Sequence, residues 1–145
     1  MVNAMRPELK YQILYGFQRC LENRKEVRVV LFHHNYLKKQ MITHPTCFVT
    51  RNVYTDYGMF DLKYRSSADY EFVLRLFQET DVNFIPVYHI ISNFELGGMS
   101  STQKGVRETM GLYLKYGTIN RRRYCWEIAR SYLAEWKNKL KRKLG

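Results

Sequence analysis

The run Ser66-Ser67-Ala68-Asp69-Tyr70-Glu71-Phe72-Val73-Leu74-Arg75-Leu76-Phe77 decides more about the fold than any other stretch of the 145-residue chain. Ser67 is a good N-cap. The residues after it recur at helical spacing, which predicts a helix running to about Glu79. Asp69 lies three, four and seven positions before Phe72, Val73 and Leu76, so it is expected on their apolar face, at the helix start. A carboxylate placed there either serves as a general base for a docked hydroxyl or only caps and charges the first turn. Glu71 precedes Arg75 by four, the favoured order for a surface ion pair worth a few tenths of a kcal/mol.

Outward from this helix the elements alternate. Residues 7–23 read as a helix, with Pro7 in its first turn and Leu9, Ile13, Leu14, Phe17 and Leu21 on one face. Val27–Phe32 is a β-branched run and predicts a strand. Asn35–Gln40 predicts a short helix or turn, Cys47–Thr50 a short strand, and Asn52–Tyr57 one helical turn stopped by Gly58. Val82–Asn93 predicts one or two strands interrupted at Pro86. Gly97-Gly98 marks a bend. A helix from about Thr102 to Tyr116 is expected to end at Gly117. Strands scattered among helices make the class α/β.

Composition narrows the options. The chain is 46% hydrophobic and 26% charged, so a packed core is expected. A formal charge of +11 favours anionic partners. No apolar run approaches the roughly 20 residues of a membrane span, and the first residues lack the apolar core of a secretory signal. Three widely spaced cysteines, Cys20, Cys47 and Cys125, argue against a disulfide framework or a thiolate zinc site and suggest a reducing compartment. All three read as packing residues. His33 and His34, as strand neighbours, would point to opposite faces and hold no metal. The pairs Tyr113/Tyr116 and Phe77/Phe84 read as core rather than as a sugar platform.

The basic excess is concentrated. Residues 118–145 carry +7 of the +11, with nine Lys/Arg against Glu127 and Glu135. Ala129, Leu133, Trp136, Leu140 and Leu144 form a helical stripe within this segment. Three readings fit: a helix docked on the body with a charged outer face, an anionic membrane contact, or a nucleic-acid contact. The last is the weakest, because the stripe is apolar and no nucleic-acid motif accompanies it.

A family resemblance emerges from the motifs. The run His44-Pro45-Thr46-Cys47-Phe48-Val49-Thr50-Arg51, then Tyr54, Tyr57-Gly58-Met59-Phe60-Asp61, Ala68-Asp69-Tyr70-Glu71-Phe72 and Leu74-Arg75-Leu76 resembles the C-terminal half of family 2 glycosyltransferases. The likeness continues through Ile91-Ser92-Asn93-Phe94-Glu95-Leu96-Gly97-Gly98-Met99-Ser100-Ser101, then Arg107-Glu108 and Lys115-Tyr116-Gly117. It is strongest over residues 40–117. It implies a partial GT-A fold, a small mixed sheet with flanking helices over residues 1–117, to which the basic amphipathic helix read from the spacing over 118–145 is an extension.

The resemblance also implies a function: transfer of a sugar from a nucleotide-sugar to an acceptor hydroxyl with inversion, in polysaccharide or glycan synthesis. Asp69 falls at the acceptor-activating carboxylate and Glu71 at the motif's second acid. His44 borders the acceptor-side cleft. Arg51 is either a phosphate or acceptor contact or a surface arginine. Gly97, Gly98 and Ser100 belong to a loop beside the active site. The family's donor half binds nucleotide and, through Asp-x-Asp, a divalent metal. No Asp-x-Asp occurs in this chain, so no metal site is expected in it, although Mg²⁺ or Mn²⁺ is expected of a complete enzyme. The chain therefore resembles an acceptor-side portion, inactive alone, at the cytoplasmic face of a membrane, where lipid-linked acceptors sit. A non-catalytic module binding a glycan or protein partner is the rival reading. A nucleic-acid-binding domain is a more distant one.

Overall fold

The structure, a computed structural model, describes residues 5–97 and 102–144. It is mixed α/β, with four strands and four α-helices among the described residues. Two compact units divide the chain: Met1–Asp61 with Asp69–Leu96, and Leu62–Ala68 with Gly97–Gly145.

The first unit is built on β1 (Gln12–Glu22). On one side of β1 lie β2 (Lys25–Val30) and β3 (Phe48–Val49), both antiparallel to it. On the other lies β4 (Asn83–Glu95), parallel to it along nearly its whole length. Residues 12–22 are thus a central strand and not the C-terminal part of the expected helix. The physical reason is burial on both faces. Ile13, Leu14 and Tyr15 are successive and all fully buried, so the period-2 signature of a strand is missing and the apolar run mimics a helix. Asn23 and Arg24 close the hairpin to β2 with both φ angles positive, 50° and 63°, as a two-residue turn between twisted strands requires.

β4 runs unbroken through Pro86. Among the described residues it pairs only with β1, so the missing N–H at Pro86 costs no ladder bond on its outer edge. Opposite Gly16 the register shifts, and β4 carries extra residues there. A Cβ at Gly16 would lie 2.8 Å from the Val87 carbonyl oxygen and 2.9 Å from that of His89, and would collide with Ile91. The glycine is what lets the two backbones approach.

Two helices complete this unit. α1 (Arg51–Tyr57) ends at Gly58, whose φ is 81°. α2 (Ala68–Leu76) buries Tyr70, Glu71, Phe72, Val73, Leu74 and Leu76. It is therefore covered nearly all round, and not along one stripe.

The second unit holds α3 (Gln103–Lys115) and α4 (Arg121–Leu144). Thr102 caps α3 by accepting from Gly105 N–H. At its other end Thr118 N–H bonds Tyr113 O at 2.8 Å and Gly117 N–H bonds Leu114 O at 3.2 Å. With Gly117 at φ 67° this is the Schellman stop its position predicts. Glu108 of α3 accepts from the backbone N–H groups of Ser66 and Ser67, at 2.8 and 3.2 Å. The Ser67 hydroxyl, expected to cap α2, lies 3.1 Å from that of Thr109.

Candidate functional site

His44 opens a 3-10 turn, His44–Thr46, with Pro45 as its preformed first-turn residue. Buried Thr43 and Thr46 anchor the turn to β1. The Thr43 hydroxyl donates to Gly16 O at 2.7 Å, and the Thr46 oxygen accepts from Gly16 N–H at 2.9 Å. The clamp works because Gly16 offers bare backbone at a point where β4 also crowds in. These three residues set where His44 stands. Reading residues 7–23 as a helix conceals Gly16, although a glycine inside an apolar strand marks a close backbone approach.

Asp69 enters from the start of α2. Its Oδ1 accepts from Tyr70 N–H at 2.8 Å, and its Oδ2 lies 3.6 Å from His44 Nδ1. That separation is too long for a hydrogen bond and becomes an ion pair only when the imidazole is protonated. The side chains are 30% (His44) and 41% (Asp69) exposed. Asp69 is thus half-open to solvent and not aligned with the buried face of α2. An aromatic wall adjoins the pair. Phe60 stands edge-on to His44, its centroid 6.2 Å away, and packs on Phe72 at 4.8 Å. Tyr54 stacks on Phe72 at 5.3 Å. Tyr70, next to Asp69, donates its hydroxyl to Leu37 O at 2.6 Å and so fixes the head of the helix.

The electrostatics follow from this half-burial. Burial holds the His44 imidazole below its ordinary value of 6.5, with the Asp69 charge pulling the other way. The Cys47 thiol is pushed up to about 12, chiefly by burial and then by the Asp69 charge. It is therefore a protonated neighbour and no nucleophile. The arrangement offers a solvent-reachable carboxylate, a neutral imidazole and a flat apolar wall, a set that can orient a hydroxyl and accept its proton.

Glu71 is not part of this constellation. It pairs with Arg75 as its spacing predicts, Oε2 to Nε at 3.5 Å, but its side chain is only 2% exposed. The expected surface pair is a buried one. Arg75 also donates to the carbonyls of Tyr57 and Met59, the latter at 2.8 Å. It ties the loop that carries Phe60 to α2. Arg51 is exposed at the first turn of α1. Gly97 opens a segment of the second unit with φ 98°. Gly98 and Ser100 lie outside the described residues, as do Met99 and Ser101.

His33 and His34 do not point apart: their rings are 4.1 Å from each other. His34 sits in a short 3-10 turn, not in a strand. Its Nδ1 lies 2.6 Å from the hydroxyl of buried Tyr15, which makes it a packing group. Cys20 lies buried on β1 rather than in a helix, and Cys125 is exposed on α4 rather than packed. Among the described residues no group of three His, Cys, Asp or Glu is placed to hold a metal ion. In the second unit a cavity of about 310 Å³ is lined by Thr102, Gln103, Lys104, Arg107, Glu135, Asn138 and Lys139.

No protein-family model matches the chain, and neither a curated protein nor a solved structure matches it.

Proposed function

We propose that the chain is the acceptor-side portion of an inverting, nucleotide-sugar-dependent glycosyltransferase of GT-A type. The observation that carries this reading is the meeting of His44 and Asp69. They belong to separate motifs of the family 2 likeness, and the fold brings them to 3.6 Å beside Phe60. Asp69 Oδ2 takes the acceptor's proton as the hydroxyl oxygen bonds the anomeric carbon and the bond to the donor's diphosphate breaks. His44 borders the acceptor beside that carboxylate, whose other oxygen is held by Tyr70 N–H. Phe60 offers an apolar face for a sugar ring.

The divalent ion of a complete enzyme finds no donor set in the described residues. Stabilisation of the leaving diphosphate, where much of the barrier reduction lies, falls to groups beyond those described.

The test is acceptor binding. A panel of mono- and oligosaccharides should shift the NMR signals of His44, Phe60 and Asp69 together. A panel that leaves those three signals unmoved at millimolar saccharide sinks the reading. Shifts at the site with no transfer detectable, once a donor-binding half is supplied, would favour a non-catalytic glycan-binding module.

A further inference from the structure

α4 wears its amphipathicity inside out. The side turned to α3 is polar. Buried Ser131 donates to Gln103 Oε1 at 2.8 Å. Arg107 of α3 donates to Ser131 Oγ at 3.2 Å and to Glu135 at 2.9 Å, and Lys139 approaches Glu135 at 3.4 Å. The outward side is apolar. Trp126, Leu133 and Trp136 are 58–59% exposed and Leu140 is 42% exposed. At about 100° per residue these four fall in one arc opposite Ser131. The stripe read from the sequence therefore forms the outer face of the helix, with the Leu144 side chain outside the described residues.

Charge frames that arc. Arg130 and Lys137 border it on one side, Arg121 and Lys139 lie farther round on the other beyond exposed Tyr132, and Arg122 falls in line with the arc one turn before Trp126. The only acids of α4, Glu127 and Glu135, fall on the inward half and are 21% and 34% exposed. Arg130 also lies over the Trp126 ring at 5.2 Å. From Trp126 to Leu140 the stripe extends about 21 Å, at 1.5 Å per residue. No helix among the described residues is long and apolar enough to cross a membrane.

We propose that α4 lies flat on an anionic lipid surface. The apolar arc enters the headgroup boundary, the tryptophans sit at the level they favour, and the flanking cations reach lipid phosphates and carboxylates. A nucleic acid is a poorer occupant, since its phosphates match the two basic borders but not the apolar strip between them. This inference rests on α4 alone and not on the transferase reading.

The test uses the full chain with vesicles of phosphatidylcholine and of phosphatidylcholine enriched in phosphatidylserine. The chain's two tryptophans are Trp126 and Trp136, so emission excited at the red edge, where tyrosine does not absorb, reports only this face. A blue shift and co-sedimentation with the anionic vesicles, absent with the neutral ones, are expected. Leu133→Ser with Trp136→Ser should abolish sedimentation while far-UV circular dichroism stays unchanged. Arg130→Gln and Lys137→Gln should each weaken it roughly fivefold. The proposal is overturned by equal binding to neutral vesicles or by no binding to either. Undiminished binding of the serine variant overturns it too, as does a dimer that dissociates in that variant while the wild-type chain ignores vesicles.

Discussion

Asp69 Oδ2 stands 3.6 Å from His44 Nδ1, with part of each side chain open to solvent. Asp69→Asn keeps the shape and the Tyr70 N–H contact but removes the proton acceptor. Stability should change by less than about 1 kcal/mol, since the group is half-exposed. Transfer in the chain joined to a donor-binding half should fall by roughly 10²–10⁴. Urea unfolding and an initial-rate assay on the same preparation separate the two effects. An unchanged rate removes Asp69 from the chemistry.

Burial holds both His44 and His34 below the ordinary histidine value, by itself at His44 and with help from the His33 charge at His34. As pH falls, the unfolded chain therefore takes up protons first. The stability these groups protect is whole above about 6.5 and drains away as pH drops through their depressed folded values. Urea midpoints measured from pH 8 down to about 5 should decline across that window. The His34→Gln/His44→Gln double variant should show a flatter profile.

Glu71 and Arg75 form a pair with one member deep in the core. Arg75→Ala removes the cation beside a buried carboxylate and frees two loop carbonyls, so a loss of up to about 3–5 kcal/mol is expected. Glu71→Gln should cost less, because it removes the charge and keeps the shape. Thermal denaturation of both variants checks the ranking, and a milder Arg75→Ala would show that the pair matters little.

Gly16→Ala places a methyl group against two carbonyl oxygens of β4 and against Ile91. A loss of at least about 1–3 kcal/mol follows from the overpacking. Because Gly16 also holds Thr43 and Thr46, saccharide shifts at His44 should weaken in whatever folded fraction remains. Titration of the variant by NMR reads both effects at once.

The three thiols should separate cleanly. Cys125 is exposed and should react with a disulfide reagent at once. Cys47, with its value pushed up to about 12, and buried Cys20 should wait for denaturant. A native chain that titrates more than one rapid thiol contradicts the packing around Cys47.

Much of this molecule was legible in advance where local chemistry decides. Gly58 and Gly117 stop helices at their predicted places, and Thr102 starts one. Legibility failed where the partner is distant in sequence. β1 looks helical because neighbours from both ends of the unit cover both its faces, and a single run cannot announce that. Asp69 and Glu71 exchange their expected environments for the same reason. Spacing places them on a helix, but only the elements packed around α2 decide which side is inside. The stripe of α4 was visible; its direction was not, because docking on α3 through Ser131 and Glu135 is a polar contact that hydrophobic periodicity does not register.

The pairing of β1 with β4 has a consequence for the order of events in biosynthesis. The central strand ends at Glu22, yet its parallel neighbour begins only at Asn83 and ends at Glu95. Until then one edge of β1 has no companion, and an apolar ribbon must wait while the whole span between the two strands is made. Nascent chains arrested before that point should be sticky and protease-sensitive, and those released after it resistant.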